Sequence, residues 1–304
     1  MVSFVIARLL QAVITLLIVS IVIFALARIS GNPAYTMLSM DATLEEREQF
    51  IKQMGLDRSM AYQYWIFLKN AVRGDFGYSL RARAPAIDVV IPKMVNSIKL
   101  ATVTMVVTLV MSVPLGVLAA VKRGTFWDLL VRAIAVMGQS LPAFWLAIVG
   151  ILIFSVQLGW LPTSGMDSWE HYVLPAAVLG LSISAGIVRL LRSSMLEILD
   201  SEFVKHARAK GISEVRVIWK HALRNAFIPV ITYAGFMYGL IIAVAIAVEV
   251  VFAWPGLGRL AYEAVTWRDF PVLQLTVLLW AALVIFINLL TDISYAIFDP
   301  RIRI

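Results

Sequence analysis

The sequence contains no cysteine, so disulfides, thiolate nucleophiles and thiolate metal ligands are all excluded. Histidine is almost as scarce: His171, His206 and His221 stand alone and in no HExxH spacing, which leaves a zinc centre without a donor set. No glycine is followed directly by lysine, so the GxxxxGK[ST] phosphate loop is missing and the chain is not expected to bind ATP in that manner. Serine and histidine show no nucleophile–base spacing that points to an intramembrane hydrolase. Charge is thin as well. Only 15% of residues are charged, against 61% hydrophobic, and the mean hydropathy is +0.87. That is more apolar surface than one soluble core hides, and it defines an integral membrane protein. The net charge of +7 does not point to nucleic acid, because the basic residues cluster beside apolar segments, where anionic lipid and inward retention account for them.

A membrane-spanning helix needs about 20 apolar residues. Six segments qualify: Leu9–Ala27, Ile98–Val121, Leu129–Leu158, Val173–Leu191, Phe227–Phe252 and Leu273–Phe298. Ala25-Leu26-Ala27 has the look of a signal-peptidase site, yet the first apolar run is too long for a signal peptide and is expected to stay as an anchor. Lys and Arg set the orientation. Arg8, Lys122, Arg123, Arg132, Arg189, Arg192, the basic residues of 205–224, Arg301 and Arg303 fall on one side, whereas the short loops opposite hold only Arg259 and Arg268. Both termini are therefore expected in the cytoplasm.

Residues 30–97 change character, with mixed charge and helical periodicity in place of continuous apolarity. Thr43 and Glu46 form a capping-box pattern, and Leu44, Phe50, Ile51 and Met54 give a loose apolar face that Gly55 is placed to end. A second helix is expected with Ser59 as its cap and Met60, Tyr64, Phe67, Leu68 and Ala71 on one face. Gly74-Asp75-Phe76-Gly77 breaks it. The expected domains are a 1–29 anchor, a 30–97 extracytoplasmic helical subdomain and a 98–304 core of five spans.

The polar insert from Glu202 to Val230 lies between two apolar spans. Phe203 and Ala207 share a face of a short helix, Gly211 stops it, Ser213 caps the next, and Val215, Ile218, Trp219, Ala222, Leu223 and Ala226 repeat at helical spacing. Arg216, Lys220 and Arg224 occupy the other face. A plain reversal between spans needs only a few residues, so a structured connection of this length implies a role; an interfacial helix on anionic lipid is the simpler alternative.

Ala207-Arg208-Ala209-Lys210-Gly211, then His221-Ala222-Leu223-Arg224-Asn225-Ala226 and Ile228-Pro229, resemble the EAA loop of ABC-importer permeases in its peptide-system form. Gly74-Asp75-Phe76-Gly77, Leu158-Gly159-Trp160-Leu161-Pro162, Trp254-Pro255-Gly256-Leu257-Gly258-Arg259-Leu260 and Asp299-Pro300-Arg301 are similar to segments of the dipeptide, oligopeptide, nickel and glutathione permeases, specifically the partner with the larger first outer loop. Lys205 or His206 stands where many permeases carry the acidic EAA residue. The resemblance implies an all-α type I permease of six transmembrane helices with a cytoplasmic coupling loop at 192–229. It implies ATPase coupling through Ala207, Arg208, Ala209, Lys210, Gly211, Ser213, His221, Arg224 and Asn225. It further implies a bacterial inner-membrane location, a homologous second permease, two cytoplasmic ATPases that carry the ATP and Mg, and an extracytoplasmic binding protein. No cofactor is expected on this chain.

Pathway or gate candidates are Gln139, Glu249, Trp254, Asn288 and Asp292. A carboxylate such as Glu249, flanked by Val248, Val250 and Val251, is costly in lipid and is expected to face the bundle interior or a gate, or else to pair with a base such as Arg259. Pro114 and Pro142 permit bends within spans two and three, where Gly138, Gln139 and Ser140 add small or polar groups. Trp127, Trp160, Trp169, Trp254 and Trp267 fall near span ends as interface anchors, with Trp254 the one worth testing as a site residue. An ion-coupled carrier using Glu249 and Asp292 is the alternative function, although no internal repeat supports it.

Overall fold

A computed structural model describes residues 2–29, 43–53, 55 and 57–298. The elements are almost all helical: α1 (Val2–Ile29), α2 (Leu44–Gln53), α3 (Met60–Val72), the two-residue strands β1 (Tyr78–Ser79) and β2 (Ala84–Pro85), and α4 (Ala86–Val121). Next come α5 (Phe126–Ser140), α6 (Ala143–Gln157), α7 (Glu170–Leu199), α8 (Glu202–Ala209), α9 (214–226), α10 (Ile228–Val251), α11 (Leu257–Thr266) and α12 (Phe270–Phe298). Among the described residues, five helices are long and apolar enough to cross a membrane. The third expected span is different in kind. It is the pair α5 and α6, bent by 104° at Leu141-Pro142. Pro142 has no N–H to continue the ladder and disfavours a helical Leu141, which takes extended dihedrals instead. Pro114, by contrast, sits inside an uninterrupted α4.

Contacts divide the chain into two compact units, 1–97 with 255–285 and 98–254 with 286–304. In the first, local signals set the helix ends. Thr43 and Glu46 exchange their capping-box hydrogen bonds, Thr43 N to Glu46 Oε2 at 2.9 Å and Glu46 N to Thr43 Oγ1 at 3.3 Å. Ser59 Oγ accepts from Tyr62 N. Phe24 of α1 packs on Tyr64 and Phe67 of α3, and the Ser20 hydroxyl is 2.8 Å from that of Tyr64. The α4 helix begins twelve residues before the expected span, because Ala86 and Val90 bury against Leu257, Leu260, Ala264, Val272 and Leu275. Ser97 Oγ accepts from Leu257 N and so caps α11 from a neighbouring helix. The side chains of Leu44, Phe50 and Asp292, together with Met54 and Asp299-Pro300-Arg301, lie outside the described residues.

The second unit packs its helices closely through small residues, the usual means of association in lipid. Ala119 of α4, Val131 and Ala135 of α5, and Ala185 and Val188 of α7 form one cluster. Glycines permit the nearest approaches: Gly138 lies against Leu181, Gly180 against Thr108, Gly186 under the Tyr233 ring and Gly235 against Thr291. A second cluster joins Val117, Ile187, Leu191 and Met195 to Ala222, Ala226 and Val230, anchoring α9 to this bundle.

Candidate functional site

The polar insert folds as expected into a helix, a glycine turn and a second helix. Gly211 has φ +74°, and a Cβ there would meet nothing within 4 Å, so the glycine serves the backbone conformation rather than space. Around it lies a Schellman motif: Ile212 N donates to Ala207 O at 3.3 Å and Gly211 N to Arg208 O at 2.9 Å. The apolar contact that accompanies such a motif is here too, with Val204, Ala207 and Val217 buried beside Ile198 and Ile212. The inward face of α8 is thus Val204 and Ala207; Phe203, expected to share Ala207's face, is exposed and meets the His221 ring edge-on.

Across the turn Arg208 clasps Glu214 with two hydrogen bonds, Nε to Oε2 at 3.1 Å and Nη2 to Oε1 at 2.7 Å. That hydrogen-bonded carboxylate raises Arg208 above the ordinary arginine range, and the guanidinium holds the Glu214 carboxyl below its own. Lys205 pairs with Glu202 at 2.7 Å, and Asn225 Nδ2 donates to His221 O. Ser213 occupies the cap position of α9, but its side chain makes no capping hydrogen bond. Ala209, Lys210 and Arg224 are exposed.

The second helix departs from the expected stripe. Residues Val217–Ala222 are wound as a π-helix, which moves the inward row onto Val217, Ala222, Ala226 and Val230. A wider turn inserts one residue into the period, so side chains after it rotate relative to an α-helix. Val215 is left 71% exposed and Trp219 50%. The single apolar stripe of the sequence is therefore split, with Ala222 turned to the bundle while Val215 and Trp219, like Phe203, are exposed.

The membrane candidates separate similarly. Glu249 is buried, with 1% exposure, and its backbone carbonyl accepts from Trp254 N at 2.8 Å. Trp254 is wholly buried, edge-on to Tyr172 at 4.6 Å, so it does not act as the interface anchor its position suggested; Trp127, Trp160, Trp169 and Trp267 are exposed as anchors require. Arg259 forms an ion pair with Glu263 at 2.7 Å. Gln139 is exposed and accepts from Arg189 Nη2 at 3.3 Å. Asn288 is exposed, and Asp292 is helical. One group went unnoticed in the sequence. Asp128 is buried beneath Arg192, with Arg132 Nε at 3.0 Å and Gly124 N at 3.0 Å completing its shell. The i, i+4 spacing to Arg132 was the sole local sign of it.

Five membrane-length helices and one bent pair, a hairpin turned at Gly211 and the buried carboxylate of Glu249 describe a polytopic membrane protein with a structured polar insert. The family comparison makes the class definite. Residues 1–112 match the model of the N-terminal part of the binding-protein-dependent transport system membrane component, and residues 112–304 that of the binding-protein-dependent transport system inner membrane component. The chain belongs to this family, the inner-membrane permeases of ABC importers. Among individual relatives, the glutathione transport system permease protein GsiC of Escherichia coli strain K12 is 42% identical over 304 residues, all of this chain and 99% of that one. The protein of the same name from Shigella flexneri serotype 5b is equally similar. Solved structures share the fold: the MetNI methionine ABC transporter in an inward-facing form has a TM-score of 0.58 at 20% identity, covering 70% of this chain and 97% of that one. An amino acid ABC transporter has a TM-score of 0.54 at 14% identity, with 69% and 94% covered. An ion-coupled carrier using Glu249 and Asp292 is not favoured by these relationships.

Proposed function

We infer that this chain is one half of a permease heterodimer that imports peptides, glutathione among them, across a bacterial inner membrane, with energy from separate ATPase subunits. The substrate class rests on the 42% identity to a glutathione permease along the full chain. The observation that carries the mechanism is the divided hairpin: one row of side chains holds it to the bundle, while Phe203, Val215 and Trp219 are exposed, as are Lys210 and Arg224. Exposed apolar side chains on a cationic hairpin suit a protein partner. In this reading the ATPases, with their ATP and Mg, grip that surface, and Ala207, Arg208, Gly211 and Glu214 keep the hairpin rigid so that their movement reaches the helices. His221 and Asn225 brace the second helix. The chain contributes no nucleotide site or cofactor of its own, and an extracytoplasmic binding protein delivers the cargo to the outer face. The Lys and Arg distribution supports cytoplasmic termini.

Reconstitution with the second permease, the ATPases and the binding protein tests this. ATP hydrolysis should rise with glutathione or short peptides and not with Ni²⁺. A Gly211→Asp complex should assemble in the membrane yet lose the stimulation, since any side chain at φ +74° strains the turn and this one adds a negative charge to a cationic hairpin. Stimulation by Ni²⁺ alone would remove the peptide assignment, and normal stimulation in Gly211→Asp would remove the hairpin's role.

A further inference from the structure

The unit formed by 1–97 and 255–285 contains a cavity of about 270 Å³ that plays no part in the hairpin. Its walls are the last turn of α1, the side of α3, the Gly74–Gly77 turn and the first turn of α12. Both α1 and α12 are spans, and the cavity lies at the C-terminal end of one and the N-terminal end of the other. Antiparallel spans place those ends on the same membrane face, at the depth of lipid headgroups.

The chemistry of the wall is that of an anion site with an apolar side. Arg28 lines it, and its Nε is buried with no hydrogen-bond partner. The guanidinium lies 5.1 Å from the centroid of the Phe24 ring, and no carboxylate among the described residues pairs with it. A buried cationic donor left unsatisfied is among the costlier arrangements a protein retains, and an incoming phosphate oxygen relieves it. Asp75 lines the same cavity; its Oδ1 accepts from Gly77 N at 2.9 Å and the residue is exposed. Phe67, Phe76 and Phe270 supply apolar wall. The space falls just below the range of about 300–1,000 Å³ that drug-sized ligands occupy, which suits a headgroup rather than a whole peptide.

We propose that this cavity is a phospholipid site in which Arg28 holds the phosphodiester and Asp75 the ammonium of a phosphoethanolamine headgroup. The acyl chains lie along the exposed apolar flank of α1, where Leu17, Ile21 and Val22 face outward. The lipid thereby ties the end of the first span to the start of the last.

Native mass spectrometry of the purified full complex, delipidated in detergent and titrated with short-chain phosphatidylethanolamine, phosphatidylglycerol, inorganic phosphate or a dipeptide, tests the site. Wild type should retain one more phosphatidylethanolamine than the Arg28→Gln complex, with at least ten-fold weaker binding in the variant and an intermediate value in Arg28→Lys. Asp75→Asn, in an exposed turn, should keep the lipid and lose the preference for ethanolamine over glycerol. Equal retention in wild type and Arg28→Gln overturns the proposal. So does displacement by inorganic phosphate, which would mark a free-anion site, or by the dipeptide, which would mark a cargo site. Should Arg28→Gln fail to assemble, an Asp75→Asn complex with unchanged headgroup preference overturns it equally.

Discussion

Arg192 holds Asp128 through two parallel hydrogen bonds of 2.8 Å, Nε to Oδ1 and Nη2 to Oδ2, across 64 positions of sequence. The pair joins the start of α5 to α7, the helix that runs into the hairpin. A carboxylate this enclosed is tolerated because four donors meet it, two from Arg192 and one each from Arg132 and Gly124.

Asp128→Asn should therefore leave a half-buried guanidinium without its counter-charge. The expected loss is about 3 kcal/mol, the low end for breaking a buried pair because Arg192 keeps some solvent contact. Arg192→Lys should lose nearly as much, since an ammonium does not reproduce the fork. The thermal midpoint of the purified complex measures both, and midpoints equal to wild type would show that the pair carries no stability.

Gly186→Ala should disturb the same unit without touching any charge. A methyl there would overlap the Tyr233 hydroxyl and come within 2.7 Å of the ring carbon that bears it, so about 1–3 kcal/mol of overpacking is expected. The double variant Gly186→Ala with Tyr233→Leu should recover part of the loss. No recovery in that thermal-denaturation cycle would place the strain elsewhere.

The two halves of the hairpin stripe should answer differently to substitution. Trp219→Ala should leave the midpoint of the permease within about 0.5 kcal/mol of wild type, as exposed positions do, and should weaken ATPase co-purification at least ten-fold. Ala222→Leu should do the reverse and destabilise the permease itself, because Ala222 is buried among Leu191, Met195 and Ala226. Co-purification and calorimetry on the two variants would exchange their outcomes if the inward row were assigned the wrong way round.

The Arg208–Glu214 clasp makes a pH prediction. Its hydrogen bonds hold the Glu214 carboxyl below the ordinary glutamate range. The stability it contributes is thus fully present above that range and is lost as pH falls through the lowered value. Both groups are well exposed, so a cycle of Arg208→Ala and Glu214→Ala should give no more than about 1 kcal/mol at neutral pH, shrinking in high salt and vanishing in acid. Protease cleavage rates at the Gly211 turn report it. A coupling that persists unchanged into acid would contradict the assignment.

What the sequence disclosed was whatever a few neighbouring residues decide. The Thr43–Glu46 box, the Ser59 cap and the Gly211 stop are each complete within four or five residues, and each is found where its chemistry required. Span existence was equally plain, because twenty apolar residues have few other places to go. The single stripe expected on the second helix divides because an α period was read through a segment wound as a π-helix, and nothing in VIWKHA announces that change; Phe203 stands before it, in α8, where the inward pair is Val204 and Ala207 rather than Phe203 and Ala207. Asp128 escaped notice because its main partner is 64 residues away, and Arg192 was legible only as a marker of the inner face. Trp254 was taken from its position near a span end, whereas the positive φ of Ala253 and the hydrogen bond back to Glu249 fold it inward.

One consequence concerns distance. The α7 helix runs unbroken from Glu170 to Leu199, about 45 Å at the usual rise. Near one end Tyr172 leans on Trp254, and at the other Ile198 packs beneath the hairpin. A rod of that length converts angle into travel: a tilt of about 5° pivoting at one end carries the other through about 4 Å. The Trp254 corner, far from any nucleotide, is then as mechanically close to the hairpin as a residue in the next turn.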